Sequence, residues 1–138
     1  MDALLTSLSG LGPFLLYFAM SIAMLLLFKW LYVLITPYDE WRLIKEDQNL
    51  AAAIALVGAF VGFSLAVASA AANSVSLLDF AVWGVVALVA QLLAFAIVRL
   101  MFLPKVAERI NQGQVSAGAV VGGLSVAVGL LNAACITY

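Results

Sequence analysis

The chain has 138 residues, of which 67% are hydrophobic and 9% charged, with a net charge of −1 and no histidine. A soluble domain carries about 25% charged residues, so water cannot be this chain's only solvent. The charge balance excludes the basic footprint of a nucleic-acid binder, and the missing histidine excludes a histidine metal site or general base.

Four apolar stretches reach the roughly 20 residues that a helix needs to cross a hydrocarbon core. The first runs from about Pro13 to Thr36. It is not a signal peptide, because no basic residue precedes Lys29 and the block exceeds a signal's apolar core. It reads as a retained helix with its start on the outer side.

The segment that follows has structure of its own. Thr36 is placed to cap a helix, Pro37 suits its first position and Asp39 sits where a capping-box acid would. Tyr38, Trp41 and Ile44 recur at helical spacing, while Asp39, Glu40, Arg42, Glu46 and Asp47 fill other positions. The pattern predicts a short amphipathic helix at headgroup level, with Tyr38, Trp41, Arg42 and Lys45 as interfacial residues.

The second span runs from Leu50 to Ala72 and places Ala51, Ala55, Gly58, Gly62 and Ser69 in one register. A neutral turn near Asn73 leads to the third span, Leu77 to Leu103. There Asp79, Trp83, Ala87, Gln91 and Ala94 share a face. Asp79 is placed to start the helix, where an acid complements the dipole. Gln91 falls near mid-span. A buried amide in lipid must find partners, so it serves either an interhelical hydrogen bond or the lining of a pathway. Arg99 and Lys29 lie one to two turns inside the basic ends of their helices. Both can snorkel to the interface, with an ion pair inside the bundle as the alternative.

The second loop, from Lys105 to Gly113, offers Val106 and Ile110 as apolar positions, and Gly113 as a helix terminator. The fourth span runs from Val115 to Thr137 and carries Gly118, Gly122, Ser125, Gly129 and Asn132 as a single seam. In lipid, close backbone approach replaces the hydrophobic drive, and small residues permit it. Gly58-x-x-x-Gly62 and Gly118-x-x-x-Gly122 are therefore packing signals, within one chain or between protomers. Cys135 is the only cysteine, which rules out an intrachain disulfide. Its lipoprotein-box look is superficial, so close to the C-terminus, and a small buried residue is the plainer reading.

Asn49-Leu-Ala-Ala-Ala-Ile-Ala-Leu-Val-Gly58 resembles Gln114-Val-Ser-Ala-Gly-Ala-Val-Val-Gly-Gly123, and each follows a polar loop that opens after Pro37 or Pro104. The reading is an all-α polytopic membrane protein: one domain over 1–138, built from two helical hairpins of about 13–72 and 77–137. As parallel repeats they are related by an axis along the membrane normal; chance similarity between Ala/Gly-rich helices is the alternative. Lys29, Arg42, Lys45, Arg99, Lys105 and Arg109 all lie beside the two longer loops. The positive-inside rule then places loops 37–49 and 104–114 in the cytoplasm and both termini in the periplasm.

No acid sits deep in a span, and no phosphate loop, CxxC or nucleophile elbow is present. An enzyme is not expected, nor is a cofactor or metal. The combination of Ile35-Thr-Pro-Tyr-Asp-Glu-Trp-Arg-Leu-Ile-Lys45, Asn49-Leu-Ala-Ala-Ala, Asp79-Phe-Ala-Val-Trp-Gly84, Gln91-Leu-Leu and Leu131-Asn-Ala-Ala-Cys-Ile-Thr137 resembles the YjfL-type bacterial inner-membrane family, domain of unknown function 350. The resemblance covers nearly the whole chain. It implies a small four-helix inner-membrane protein with no assigned activity, in a genetic context of envelope stress and polyamine metabolism. It also marks Asn49, Asp79, Gln91, Arg99 and Asn132 as positions matching the family pattern.

Two functions remain open from sequence. One is a non-enzymatic, self-associating component of envelope maintenance, with a lipid bilayer around it, copies of itself as neighbours and a cytoplasmic protein docking on residues 37–49. The other is an oligomeric channel or small-solute pathway lined by Gln91 and Asn132, with Arg99 at its inner mouth.

Overall fold

The computed structural model describes residues 2–35, 40–97 and 106–136. Its helices are α1 (Asp2–Leu8), α2 (Leu11–Ile35), α3 (Glu40–Lys45), α4 (Leu50–Asn73), α5 (Leu77–Ile97), α6 (Val106–Asn111) and α7 (Val115–Cys135). Four segments are long and apolar enough to cross a membrane, and they overlap the four stretches read from sequence, although the first begins at Asp2 and not near Pro13. The sequence reading did not anticipate α1. Thr36, Pro37, Tyr38, Asp39, Arg99, Pro104 and Lys105 lie outside the described residues.

Helix direction follows from which residues meet. Ala51 lies against Gly118, Gly62 against Gly129 and Ser69 against Ala133, so α4 and α7 run parallel. Tyr17 stacks on Phe80 at 5.4 Å and Met24 fills a notch at Gly84, so α2 and α5 are parallel too. Gln91 reaches Ser125 while Asn132 reaches Ala87, which makes α5 and α7 antiparallel. The order is therefore up, down, up, down, with like helices side by side.

α4 is the central element. More than half of its best apolar window (56%) is buried, against 6% for the first span, and its longest interface is with α7. The opposite flank of α4 meets α2 through aromatic rings. Phe28 stacks on Phe63 at 4.6 Å, meets Phe60 edge-on at 5.9 Å and lies 5.8 Å from Tyr32. Rings in these offset and edge geometries add roughly 0.5–1.5 kcal/mol per pair beyond their area. Outward, Leu15, Phe18, Val57, Val61, Leu93 and Leu130 are all exposed. That much open apolar surface fits lipid and not water.

The two loops leading into α4 and α7 are built alike. Each holds a six-residue helix, α3 or α6, followed by a residue in the left-handed region: Gln48 at φ 51° and Gly113 at φ 79°. The next residue starts the long helix with nearly the same torsions: φ −76°, ψ 103° at Asn49 and φ −72°, ψ 103° at Gln114. At the end of α6, the Gln114 N–H bonds the Arg109 carbonyl at 3.0 Å and the Gly113 N–H bonds Ile110 at 2.9 Å. These two bonds form a Schellman motif, so Gly113 ends its helix as its residue type suggests. Leu43 and Ile110 tuck inward and seat the two short helices under the bundle.

Gln48 holds a left-handed conformation that costs a side-chain-bearing residue about 1–2 kcal/mol. Gln48→Gly removes that strain but adds unfolded-state entropy of roughly 0.5–1 kcal/mol. The expected net gain is about 0.5 kcal/mol, read as a small rise in thermal midpoint in detergent. Gln48→Val should shift the midpoint the other way.

Candidate functional site

The small residues of α4 and α7 are spent on each other within one chain. A Cβ added to Gly58 would lie 2.5 Å from the Gly122 carbonyl oxygen, and one added to Gly122 would lie 2.6 Å from the Ile54 carbonyl oxygen. Added to Gly62, Gly118 or Gly129, it would strike the backbone of Ser125, Ala51 or Gly62 respectively. In a glycine that direction holds a Cα hydrogen, so these hydrogens face the carbonyls of the opposite helix. Such Cα–H···O contacts recur where helices touch and contribute about 0.5–1 kcal/mol each. Gly123, by contrast, faces open space.

Gln91 stands where three helices meet. It extends from α5, and its Nε2 donates to the Ser125 carbonyl of α7 at 2.7 Å. A Cβ on Gly62 of α4 would sit 2.6 Å from the same nitrogen, so Gly62 makes room for the amide as well as for α7. Gln91 is 3% exposed, and its Oε1 has no hydrogen-bond partner among the described residues. The Ser125 hydroxyl turns back onto its own helix and donates to the Val121 carbonyl at 2.7 Å. Further along α7, Asn132 Nδ2 donates to the Ala87 carbonyl at 3.2 Å. Both amides predicted as interior polar positions therefore join α5 to α7 through backbone carbonyls.

Asn49 does a different job at the other end of α4. Its Oδ1 accepts from the Ala52 N–H at 3.0 Å and caps α4. Its Nδ2 donates to the Ile110 carbonyl at 2.7 Å, across to α6. Its own N–H returns to Leu43 at 2.7 Å. One residue, by its side chain to α6 and its backbone N–H to α3, thus ties both short helices to the head of α4. Asp79 is the helix starter its position implied. Its N–H donates to the Ser76 hydroxyl at 3.1 Å and its Oδ2 accepts from the Val75 N–H at 3.0 Å. This is a variant of the reciprocal capping box.

The described residues place few of the other predicted positions. Arg99 and Tyr38 lie outside the described residues, Trp41 and Arg42 contribute backbone to α3, and Lys45 is exposed at its end. Two further residues, one joining and one capping, carried a weaker signal. Ser69, part of the α4 register, donates to the Ala133 carbonyl of α7. Ser76 was legible only through its three-residue spacing from Asp79. Among the described residues, no group of three acids or cysteines is placed to hold a metal. What this arrangement does chemically is hold helices together: its donors are committed to backbone, and Gln91 Oε1 remains the uncommitted acceptor.

The family described as Domain of Unknown Function (DUF350) matches residues 6–136. The chain is 43% identical over 131 residues to the UPF0719 inner membrane protein YjfL of Escherichia coli strain K12, covering 95% of this chain and 98% of that relative. The protein of the same description from Escherichia coli O157:H7 matches equally. No solved structure matches.

Gly62→Leu and Gly58→Leu should abolish the folded chain, seen as loss of detergent-soluble protein, whereas Gly123→Ala should leave it unchanged. Gln91→Leu removes one interhelical bond and also removes the partnerless acceptor. Interhelical bonds in membranes average about 0.6 kcal/mol, so its expected cost is under about 1 kcal/mol in a steric-trapping or denaturant titration. Asn49→Ala loses a cap and a cross-link together and should cost more, about 1–3 kcal/mol.

Proposed function

The chain belongs to the DUF350 family of inner-membrane proteins, and on that premise we propose that it is a non-enzymatic, self-associating component of envelope maintenance or stress response. The observation that carries this reading is the closed interior. α4 and α7 meet backbone to backbone, and the Gln91 and Asn132 donors are engaged by neighbouring carbonyls. Because the glycine seams are used inside the chain, association between copies falls to the outward faces, where Val57, Val61, Val89 and Leu93 are open.

The same reading has the chain as two parallel hairpin repeats. It is supported by the matched six-residue helices, the matched torsions at Asn49 and Gln114, and the side-by-side pairing of like helices. The basic residues support a cytoplasmic place for loops 37–49 and 104–114, with both termini periplasmic. Exposed Lys45, Glu46 and Asp47 then offer a cytoplasmic partner a charged surface within residues 37–49.

A second reading, an oligomeric pathway for ions or polyamines, is favoured by one observation: Gln91 Oε1 is a buried acceptor without a partner. Vesicles holding the protein should conduct or exchange solute on this reading, and Gln91→Leu should change the rate. On the first reading they stay tight.

Self-association is tested with single cysteines at outward positions of α4, α5 and α7 in a Cys135→Ser background. Oxidation in native membranes should give dimers at positions clustered on one helical face. No dimer at any position, together with a monomer by light scattering, removes the self-association claim.

A further inference from the structure

The first apolar segment is too long for the membrane it crosses. The helical run from Asp2 to Leu34 holds 33 residues, about 50 Å at 1.5 Å per residue, against a hydrocarbon core of about 30 Å. The chain divides this run at Ser9–Gly10. The Gly10 N–H bonds the Ser7 carbonyl at 3.2 Å, a three-residue closure that ends α1, and the Ser9 hydroxyl donates to Thr6. Gly12 and Pro13 follow at once. Pro13 has no N–H to offer the preceding turn, so the ladder is weakest where the two helices join.

Lys29 and Trp30, just over one turn inside the other end of α2, supply a ruler. Trp30 is 59% exposed, and it stands beside Lys29. Tryptophan and lysine anchor at the headgroup boundary. From Trp30 back to Gly10 the helix rises about 30 Å, one core thickness. The break therefore falls at the opposite boundary, and α1 lies beyond it.

The residues of α1 divide as an interfacial helix requires. At 100° per residue, Leu4, Leu5 and Leu8 occupy an arc of about 100°, while Asp2, Thr6 and Ser7 occupy the other side. Every residue of α1 is exposed, and the three leucines are 54–59% exposed. A water-exposed leucine face has no reason to persist on a helix this short, because isolated helices below about 12 residues are marginal in water.

We propose that α1 lies in the headgroup–acyl boundary opposite the Lys29–Trp30 end, with Leu4, Leu5 and Leu8 sunk toward the acyl chains and Asp2 and Thr6 facing water. Its partner is the lipid surface itself. In that position it fixes the depth of α2, whose own contacts with the bundle are few. This stands apart from the envelope role proposed above and from the sidedness of the protein.

Nitroxide labels at single cysteines in the Cys135→Ser chain test it, in vesicles of phosphatidylethanolamine and phosphatidylglycerol. Labels at positions 4, 5 and 8 should favour oxygen over a nickel chelate, and labels at 2, 6 and 9 the reverse, at one shallow depth throughout. A label at Leu16 should then shift in depth in the Leu5→Ser/Leu8→Ser chain. Three results overturn the proposal: depth that increases steadily through α1 into α2, nickel access at every position, or spin–spin broadening at positions 5 and 8 showing a second copy on that face.

Discussion

The contact of α4 with α7 at the level of bare backbone is the constraint on which the rest of the structure depends. Lipid tails are as apolar as leucine, so burying a side chain between helices yields little net solvation gain. What remains is dispersion and weak polar contact, and both fall off steeply with distance. Gly58, Gly62, Gly118, Gly122 and Gly129 remove the Cβ atoms that would keep the helices apart. The cost is backbone entropy, about 0.5–1 kcal/mol for each helical glycine. Several facing Cα–H···O contacts, plus the contact area the close approach permits, offset it.

The other elements are arranged around that pair. Once α4 and α7 are joined, their remaining flanks face α2 and α5. Gln91 and Asn132 bind α5 to α7 by hydrogen bonds to carbonyls, which are strong in a low dielectric. Phe28, Phe60 and Phe63 bind α2 to α4 by ring packing. Asn49 closes the end, where the loops must be seated. Specificity thus comes from polar and aromatic contacts at the edges, and proximity from glycine at the centre. One consequence concerns assembly. Seams that would have been natural joints between copies are already occupied within the chain, so they are not free to join a second copy.

The spans were legible because length and hydropathy alone define them, and the bounds at Leu50, Leu77 and Val115 agree with the helices observed. The small-residue registers were legible for the same reason: spacings of three and four put Gly118, Gly122, Ser125 and Gly129 on one face whatever that face meets. What it meets was not legible, since lipid-phase packing within a chain and between chains uses the same residues. Gln91 was recognisable as interior from the cost of an unsatisfied amide in lipid, but its choice of the Ser125 carbonyl depends on tertiary geometry. Asn49 read as one polar position among several. Its double role needs α6 brought beside α4, which no local pattern encodes. α1 was passed over because the first span was read from Pro13, and a seven-residue helix broken by Thr6, Ser7, Ser9 and Gly10 shows too little periodicity to stand out.

The central claim is that the α4–α7 seam belongs to one chain, and disulfide trapping at Ser69 and Ala133 tests it directly. These residues join the C-terminal ends of α4 and α7, with the Ser69 hydroxyl 2.6 Å from the Ala133 carbonyl oxygen. In a Cys135→Ser background, a chain carrying both Ser69→Cys and Ala133→Cys should oxidise in membranes to a cross-linked monomer. Co-expressed chains carrying one substitution each should give no mixed dimer. A mixed dimer between the two single-cysteine chains, with no internal cross-link in the doubly substituted one, would place the seam between protomers and contradict the account.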